Sequence, residues 1–446
     1  MTKKKKIINV SVAVATVLWL IGSTLLAVYF GTLVAAVPVT HGFTMPVLGF
    51  DETGGTSVAV DNPGTYLAHP DLVMADDGTL ITMYPQDHGK GPIAMKISED
   101  FGLTWSDRVQ NTPASWEESQ ETPTLYNISF VDTEGAKTGE TALILVSGCP
   151  YWHFIGNRID ENGFNFSVST DDGDTWSEFR NMYGKQWAAQ NGAEPYDCIV
   201  AMSSLTQVKE NGKYVNKWMG TFHDHKFYNY KTYLTFETDK DGSLKTDSEG
   251  RYIANWSEPE YLIPEWRKYE KLSNICEVEI IRTPSEDGAS LDGDRLVMIT
   301  RANSRKTLSL ILISDDEGKT WSEPRELPPE LNGDRHKAEY DPVTGKLVIS
   351  FRQITSYKKS ALSVKNTILS LGWVGWVGTF DQLLSDGKGD ALVVLGASQT
   401  ADCGYAGTVC KDGQFVMISY GIFDGAAADQ PYIMAVRFNL EFLNRK

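Results

Sequence analysis

Short apolar runs of five to seven residues recur along the chain after residue 45, separated by glycine, aspartate, asparagine and proline. Examples are LITMY, ALILVSG, RLVMIT, LSLILIS, KLVISF, ALVVLG and QFVMISY. Runs of this length between turn-forming residues are typical of β-strands, and no helical period is sustained beside them. Several runs follow an acidic residue and a glycine, as in ADDGTL and KDGQF. The pattern predicts an all-β domain built from hairpins.

One octet occurs three times, as SEDFGLTW at 98–105, STDDGDTW at 169–176 and SDDEGKTW at 314–321. The shared pattern is Ser-x-Asp-x-Gly-x-Thr-Trp. Ser and Asp side chains bond nearby backbone N–H groups, glycine adopts a positive φ, and the Trp ring fills an apolar layer. Each octet offers few carboxylates for calcium. The octet therefore predicts a repeated structural turn and no site of its own.

A shorter tag, Trp-Ser-acidic, marks Trp105, Trp176, Trp256 and Trp321, which are 71, 80 and 65 residues apart. This spacing indicates repeats of four antiparallel strands with loops of variable length. About four hundred residues hold six such repeats, two of them within 340–446, and closing them into a ring removes exposed sheet edges. We therefore predict a six-bladed β-propeller over residues 45–446.

The N-terminus places four lysines, at positions 3–6, before an uncharged stretch that runs from residue 7 to residue 39. This stretch exceeds the apolar core of a signal peptide, and about 20 apolar residues span a bilayer. Lysines on the N-terminal side favour a cytoplasmic N-terminus. Residues 1–40 are thus predicted to be a transmembrane signal anchor on the cell membrane, with the propeller outside. Cleavage after Ala35 and Ala36, which would release a secreted domain, is the alternative.

Charge and cysteine content exclude several classes of function. The formal net charge is −17 despite the four N-terminal lysines, and such a surface repels nucleic acid. Five cysteines show no metal-ligand spacing and no disulfide framework, although Cys403 and Cys410 can close one hairpin in an oxidising compartment. His223 and His225 share a strand face without an evident third ligand. No metal and no other cofactor is predicted.

The octets resemble the Asp boxes in the blades of the sialidase (neuraminidase) superfamily, and the resemblance covers nearly all of residues 60–440. It is stronger evidence for the architecture than for the activity, because Asp boxes also occur in other propellers. It implies an exo-glycosidase that removes a terminal sialic acid or a related keto-acid sugar. Such an enzyme uses an arginine clamp for the sugar carboxylate, a tyrosine nucleophile with a glutamate base, and an aspartate acid/base.

The C-terminal half supplies most of the residues that the resemblance implies. CEVEIIRTPSEDG resembles the glutamate strand and makes Glu277 the candidate base, with Glu279 on the same strand face as the alternate. RLVMITRANS places the second arginine at Arg301, and DRHKAEYDPVTGKLVISFR places the third at Arg335. DCGYAGTVC places the nucleophile at Tyr405.

The N-terminal half departs from the pattern. Ala68 stands where the resemblance places the first arginine, and His69 follows it. His69 is expected to bind substrate in its stead, with a weaker charge near neutral pH. Asp87, eleven residues before Ser98, is the candidate acid/base; the alternative for it is a turn residue beside Gly89.

Three functions remain open on these observations. The first is a sialidase-type exo-glycosidase, and the segments around Glu277, Arg335 and Tyr405 favour it. The second is a propeller glycosidase for another sugar with Asp87 and Glu277 as its carboxylate pair, and the third is a non-catalytic glycan-binding surface protein. The missing first arginine favours these two. Insertions at 147–158, 183–197 and 222–236 combine aromatic and polar residues, which suits either a glycan partner or a propeller core.

Overall fold

The computed structural model describes most of the chain. The described residues are 12, 14–26, 42–88, 91–119, 121–150, 162–240, 242–359, 366–425 and 428–445. The chain forms two compact units. One comprises residues 43–353 and 371–446, and the other comprises residues 1–42 and 354–370.

Sheets of the larger unit follow one another along the chain, and we number them as blades. Blade 1 contains β3 (Asp71–Met74), β4 (Leu80–Pro85) and β5 (Ile93–Ser98). Blade 2 contains β6 (Pro123–Val131), β7 (Lys137–Gly148), β8 (Phe164–Ser169) and β9 (Arg180–Met182). Blade 3 contains β10 (Leu205–Glu210), β11 (Lys213–His223), β12 (Asn229–Phe236), β13 (Ala254–Trp256) and β14 (Glu260–Tyr261).

The second half of the chain continues the series and receives two N-terminal strands. Blade 4 contains β15 (Ile275–Arg282), β16 (Leu296–Ala302), β17 (Leu310–Ser314) and β18 (Arg325–Glu326). Blade 5 contains β19 (Gly333–Asp341), β20 (Lys346–Gln353), β23 (Gly372–Gly378), β24 (Ala391–Gly396) and, parallel to β24, β1 (Val47–Gly49). Blade 6 contains β25 (Gly407–Lys411), β26 (Gln414–Gly421), β27 (Tyr432–Asn439) and β2 (Thr56–Asp61).

Neighbouring blades contact one another in a closed ring. β3 contacts β6, β6 contacts β11 of blade 3, β10 contacts β15, β15 contacts β19, β19 contacts β25, and β25 returns to β3. The outer edge of blade 6 is completed by β2, which comes from the other end of the chain and pairs with β27. Across the described residues the larger unit thus has six blades, and the predicted all-β six-bladed propeller is confirmed. The prediction of four strands in every blade was too regular, because the described blades have three to five strands.

Helices are few and short. They are α1 (Phe50–Thr53), α2 (Lys185–Asn191), α3 (Arg267–Ser273) and α4 (Phe380–Ser385), with 3₁₀ turns at Ala114–Glu118, Pro264–Trp266, Pro329–Leu331 and Leu440–Asn444. In the smaller unit, residues 14–26 are helical, and β21 (Ser356–Lys359) pairs with β22 (Asn366–Leu369) as a hairpin.

The predicted membrane segment, residues 1–40, lies largely outside the described residues. Within the part of the chain that the structure describes, no helix has the length and apolarity needed to cross a bilayer. The five cysteines all lie in described stretches and none forms a disulfide there, so Cys403 and Cys410 are not joined.

Strand direction separates the two faces of the propeller. Because neighbouring strands of a blade are antiparallel, first strands begin and second strands end on the same face. Glu277 lies near the start of β15, Arg301 near the end of β16, and Arg335 near the start of β19. The octets follow the third strands β5, β8 and β17, which end on the other face. The octets therefore lie on the face opposite Glu277, Arg301 and Arg335.

The third octet shows why this sequence recurs. The Ser314 hydroxyl donates to Asp316 Oδ1 at 2.8 Å and accepts from the Gly318 N–H at 2.9 Å. Asp316 also accepts from the Thr320 N–H at 2.8 Å and from the Thr320 hydroxyl at 2.6 Å. Gly318 has a φ of +74°, which glycine adopts without strain. The positions that recur in all three octets therefore form one self-contained turn, as predicted.

The hydrophobic core lies between neighbouring blades. Trp321, which ends the third octet and is 4% exposed, packs with Met219 of blade 3 and with Met298 and Leu312 of blade 4. Its backbone carbonyl accepts a hydrogen bond from the Trp266 indole at 2.8 Å. The octet thus anchors one blade against the next.

Replacing Trp321 with alanine should lower the free energy of unfolding by about 3–5 kcal/mol, because a buried ring is lost between two blades. Trp105→Ala is the matched control, since Trp105 ends the first octet but is only partly buried. The control should lose clearly less stability. Urea unfolding of both variants measures the difference, and equal losses would show that the octet Trp does not act through burial.

Candidate active site

First strands of the propeller are bent where they enter the site face. His69, Glu277 and Arg335 all have positive φ, at +47°, +48° and +52°. The pairing of β15 with β16 and of β19 with β20 shifts register at these points. Such β-bulges break the two-residue alternation of a strand and re-aim the bulged side chain. These non-glycine residues in a sparsely populated backbone region mark the centre of the site.

A tyrosine, a glutamate and an arginine meet at this centre. The Tyr405 hydroxyl donates to Glu277 Oε1 at 2.8 Å. Arg301 Nη1 donates to the same glutamate oxygen at 2.6 Å and to the Tyr405 hydroxyl at 2.7 Å. Tyr405 and Glu277 are 8% and 6% exposed. Three of the residues singled out in the sequence therefore touch one another, although blades 4 and 6 supply them.

A buried carboxylate, Asp334, organises the arginines around this cluster. Arg305 and Arg352 each bond it, with Arg305 Nη1 and Arg352 Nη2 both 2.6 Å from its oxygens. Arg301 Nε lies 3.1 Å from Asp334 Oδ1. Burial by itself raises the pKa of Asp334, but the three guanidinium charges outweigh burial and hold that pKa well below its usual range. Asp334 is therefore ionised.

Sequence reasoning missed Arg352, Arg305 and Asp334. The guanidinium of Arg352 lies 5.6 Å from the centroid of the Tyr405 ring, so it belongs to the site. A signal was present, because Arg352 stands near the end of the second strand of blade 5 as Arg301 does in blade 4. Comparing equivalent positions between blades would have found it.

Arg335 is the next residue along the chain after Asp334, and its charge acts on the buried His69. It is 4% exposed, and Arg335 Nη1 donates to the Ser203 carbonyl at 3.2 Å. Among the described residues Ser203 is its single hydrogen-bond partner, so the guanidinium keeps further N–H donors for a ligand. This geometry suits the anion-binding role predicted for Arg335.

His69 occupies the position beside the missing arginine but carries no charge there. Its ring packs against Tyr405 at 4.5 Å between centroids, and its Nε2 lies 3.1 Å from the Tyr420 hydroxyl. Burial lowers the pKa of His69 well below its usual range, and the charges of His88 and of the site arginines add to this effect. The imidazole is neutral at neutral pH. The expectation that His69 replaces an arginine charge is therefore corrected, while a role in substrate binding stays a prediction.

Asp87 lies on the exposed loop that follows β4, at the rim of the site. Its Oδ1 accepts a hydrogen bond from the His88 N–H at 2.7 Å. Its charge acts on the Tyr66 hydroxyl, which contacts His88 Nδ1 and Asp402 Oδ2 at 2.5 Å each. Within the described residues Asp87 does not contact Tyr405 or Glu277. Its acid/base role stays a prediction.

Two further ionisable groups lie within electrostatic range of Glu277 and were not singled out as catalytic. Burial raises the pKa of Glu121 to about 7, against hydrogen bonds from the Thr122 and Val200 N–H groups, and the charge of Glu277 adds to the rise. Burial lowers the pKa of His223 to about 4, although Glu277 acts in the opposite sense. Both come from blades 2 and 3, where the sequence resemblance was weakest.

Glu279, the alternate base, does not reach the nucleophile. Its Oε1 accepts from the Ala338 N–H at 3.2 Å, and it lines a cavity with Lys337 and Arg282 further along the channel. The prediction that Glu277 and Glu279 share a strand face was wrong, because the bulge between Cys276 and Glu279 shifts the alternation. No group of three or more potential metal ligands occurs among the described residues.

Tyr405, Glu277 and the neighbouring arginines form an arrangement that is suited to nucleophilic chemistry on a negatively charged group. Burial raises the pKa of Tyr405 well above its usual range, although Arg301 and Arg352 oppose this. The hydroxyl therefore keeps its proton and needs a base, and Glu277 is hydrogen-bonded to it. An activated nucleophile has this arrangement of hydroxyl, base and orienting cation.

The fold and the cluster together define a six-bladed propeller with a buried tyrosine, glutamate and arginine site on one face. Among solved structures, a protein of unknown function from Dyadobacter fermentans is 14% identical, with 86% of this chain and 98% of that chain covered and a TM-score of 0.55. This likeness establishes the fold alone. Comparison with family models and with curated proteins gave no match.

Two other solved structures are similar at a lower TM-score. The α-L-arabinanase of Penicillium chrysogenum complexed with arabinobiose is 14% identical, with 87% of this chain and 98% of that chain covered and a TM-score of 0.49. The intramolecular trans-sialidase of Ruminococcus gnavus in complex with oseltamivir carboxylate is 13% identical, with 88% and 99% covered and a TM-score of 0.48.

Gly404, next to the tyrosine, should not tolerate a side chain. Its φ is +91°, and an added Cβ would lie 2.8 Å from the Arg352 Cα. Gly413→Ala is the matched control, with a φ of +76° but its nearest Cβ neighbour at 3.8 Å. The left-handed backbone costs each variant about 1–2 kcal/mol. Gly404→Ala should lose at least that much again in urea unfolding, and equal losses in both variants would contradict the close packing of Tyr405 on blade 5.

Proposed function

We propose that this protein is a retaining exo-glycosidase that hydrolyses a terminal sugar carrying a carboxylate on its anomeric carbon, such as sialic acid or a related keto-acid sugar. The observation that carries the proposal is the hydrogen bond between the Tyr405 hydroxyl and Glu277, 2.8 Å long and held from one side by Arg301. A carboxylate nucleophile would be repelled by the anionic anomeric centre, and a neutral tyrosine hydroxyl is not.

The proposed reaction proceeds in two displacements. Glu277 takes the hydroxyl proton while the Tyr405 oxygen bonds to the anomeric carbon and the glycosidic bond breaks. Arg301 stabilises the negative charge that develops on the phenolic oxygen. Asp87 is assigned to protonate the leaving oxygen and then to deprotonate the water that releases the sugar from Tyr405, while Glu277 returns its proton to the phenolic oxygen. Two inversions at one carbon give net retention.

Arg335 is proposed to make the direct contact with the substrate carboxylate. Arg335 retains N–H donors beyond its bond to Ser203, which suits a bidentate contact with a carboxylate. Arg301 and Arg352 flank Tyr405 and add positive charge on the same side of the site. Arg352 supplies from blade 5 the cation that Ala68 does not supply from blade 1.

One observation favours a second candidate, a glycosidase for a neutral sugar that works with two carboxylates. Burial raises the pKa of Glu121 to about 7, in the range of a general acid, and its charge couples to that of Glu277. In this alternative Glu121 would protonate the leaving group and Tyr405 would not be the nucleophile.

We further propose that residues 1–40 anchor the enzyme in the cell membrane with the propeller outside. The support is the uncharged stretch of residues 7–39 behind four lysines. Membrane fractionation of the full chain, compared with a chain that begins at residue 43, tests this proposal. Full-length protein in the soluble fraction at the mass of the intact chain would overturn it.

Tyr405→Phe should lower kcat on an aryl sialoside by roughly 100-fold or more, because the nucleophile and the partner of the base are lost together. Tyr432→Phe is the matched control, since Tyr432 is buried like Tyr405 and, among the described residues, its hydroxyl bonds only the Met434 sulfur, at 3.8 Å. Wild-type turnover of neutral aryl glycosides alone, unchanged by Tyr405→Phe, would eliminate the proposal. Glycan binding without turnover of any sugar would leave the non-catalytic alternative.

Arg335→Lys should lower kcat/KM on the sialoside by about tenfold or more, because lysine keeps the charge and loses the planar fork. The kcat/KM on neutral aryl glycosides should not change. Arg295→Lys is the matched control, because Arg295 is exposed and pairs with Asp315 next to the third octet, on the other face. Equal effects of Arg335→Lys on charged and neutral substrates would contradict the carboxylate assignment.

A further inference from the structure

Asp334 is an anion that the protein itself supplies to the arginines of the site. It is fully buried, and both carboxylate oxygens face guanidinium groups. Arg305 Nη1 forms an ion pair with Oδ1 at 2.6 Å, and Arg305 Nη2 donates a hydrogen bond to Oδ2 at 2.7 Å. Arg352 donates to Oδ2 through Nη2 at 2.6 Å and through Nε at 3.0 Å. Arg301 Nε completes the set at 3.1 Å.

The bulge at the start of β19 explains how two neighbouring residues, Asp334 and Arg335, point to different partners. Asp334 and Arg335 are neighbours in sequence at the start of β19, where the pairing with β20 shifts register. Asp334 points to the arginines of blades 4 and 5, whereas Arg335 reaches the Ser203 carbonyl before blade 3. The positive φ of Arg335 permits this divergence. The carboxylate and the arginine left for a ligand are thus placed side by side.

Three guanidinium groups this close would repel one another without an anion between them. Two of them also fix the reacting groups, since Arg301 bonds Tyr405 and Glu277, and Arg352 lies over the Tyr405 ring. An ionised carboxylate at their centre holds both arginines in place before any substrate arrives. Charge-assisted bonds of this kind are strong and directional.

We propose that Asp334 is a positioning residue that acts as an internal counter-anion: it occupies the centre of the arginine cluster, aligns Arg301 and Arg352 on Tyr405, and leaves the incoming substrate carboxylate to Arg335. The part that concerns substrate rests on the proposed function. The part that concerns the internal anion does not, because a small free carboxylate should take the place of the Asp334 side chain when that side chain is removed.

The experiment is a rescue of Asp334→Ala by sodium formate, with sodium chloride at equal ionic strength as the salt control. Alanine leaves a space of carboxylate size lined by three arginines. As the formate concentration increases, the Tm of this variant should rise to a plateau. Its kcat on an aryl sialoside should be at least tenfold higher with formate than without it. Asp334→Asn is the matched control, because asparagine fills the same space without a charge. Neither Asp334→Asn nor the wild type should respond to formate.

Calorimetric titration of formate keeps the test independent of turnover. If the wild type hydrolyses no sialoside, the proposed function fails, but saturable formate binding to Asp334→Ala alone still supports the internal anion. Should Asp334→Ala not fold even in formate, the charge-balanced variant Arg305→Gln/Asp334→Ala is titrated, and binding is again expected. Absence of formate binding to the folded alanine variant, or equal binding by Asp334→Asn, would overturn the proposal.

Discussion

Closure of the ring is the constraint on which the site depends. The first strands of six blades surround one axis, and β2 locks the circle from outside by pairing with β27 of the last blade. Because every first strand begins on the same face, the circle brings together residues that are far apart in sequence. Tyr405 and Glu277 are 128 positions apart and share a 2.8 Å hydrogen bond. The chemistry therefore requires closure before any local feature can act.

The net charge of the chain is negative, whereas the arginines of the site form a local region of positive charge. The chain as a whole carries −17, yet the site face concentrates arginines around one tyrosine. Asp334 makes this concentration tolerable, because an ionised carboxylate among guanidinium groups offsets part of their mutual repulsion. The net negative charge repels polyanions, whereas the local cationic pocket suits a small anionic group.

Repeats could be predicted from the sequence because each is a local object. The octet turn is closed by bonds among Ser314, Asp316 and Thr320, so eight residues suffice to specify it. Trp spacing then gave the number of blades. Tyr405, Glu277 and Arg301 were found through their flanking segments, which resemble a known family. Their mutual contacts lie beyond what any segment encodes alone.

Other parts of the site depend on contacts between blades and on broken strand periodicity. Arg352 and Asp334 are recognisable only once blades 4 and 5 lie side by side. Glu279 was taken for an alternate base because strand alternation places it on the face of Glu277, and a single bulge removes it from the site. A bulge adds one residue and no sequence signature. Period-two reasoning therefore fails at functional positions, where the strand is bent to aim a side chain.

The absence of an arginine at position 68 is consistent with the charges of the other residues in the site. His69 stands beside Ala68 as a neutral, buried ring against Tyr405, so these two positions contribute packing and no positive charge. Had an arginine stood there, it would have added a further cation to a pocket that already needs an internal anion. Arg352 brings the cation from blade 5, where Asp334 neutralises it in part. The arginines that contact Asp334 thus come from blades 4 and 5, and the carboxylate that balances their charge lies among them, one residue from Arg335.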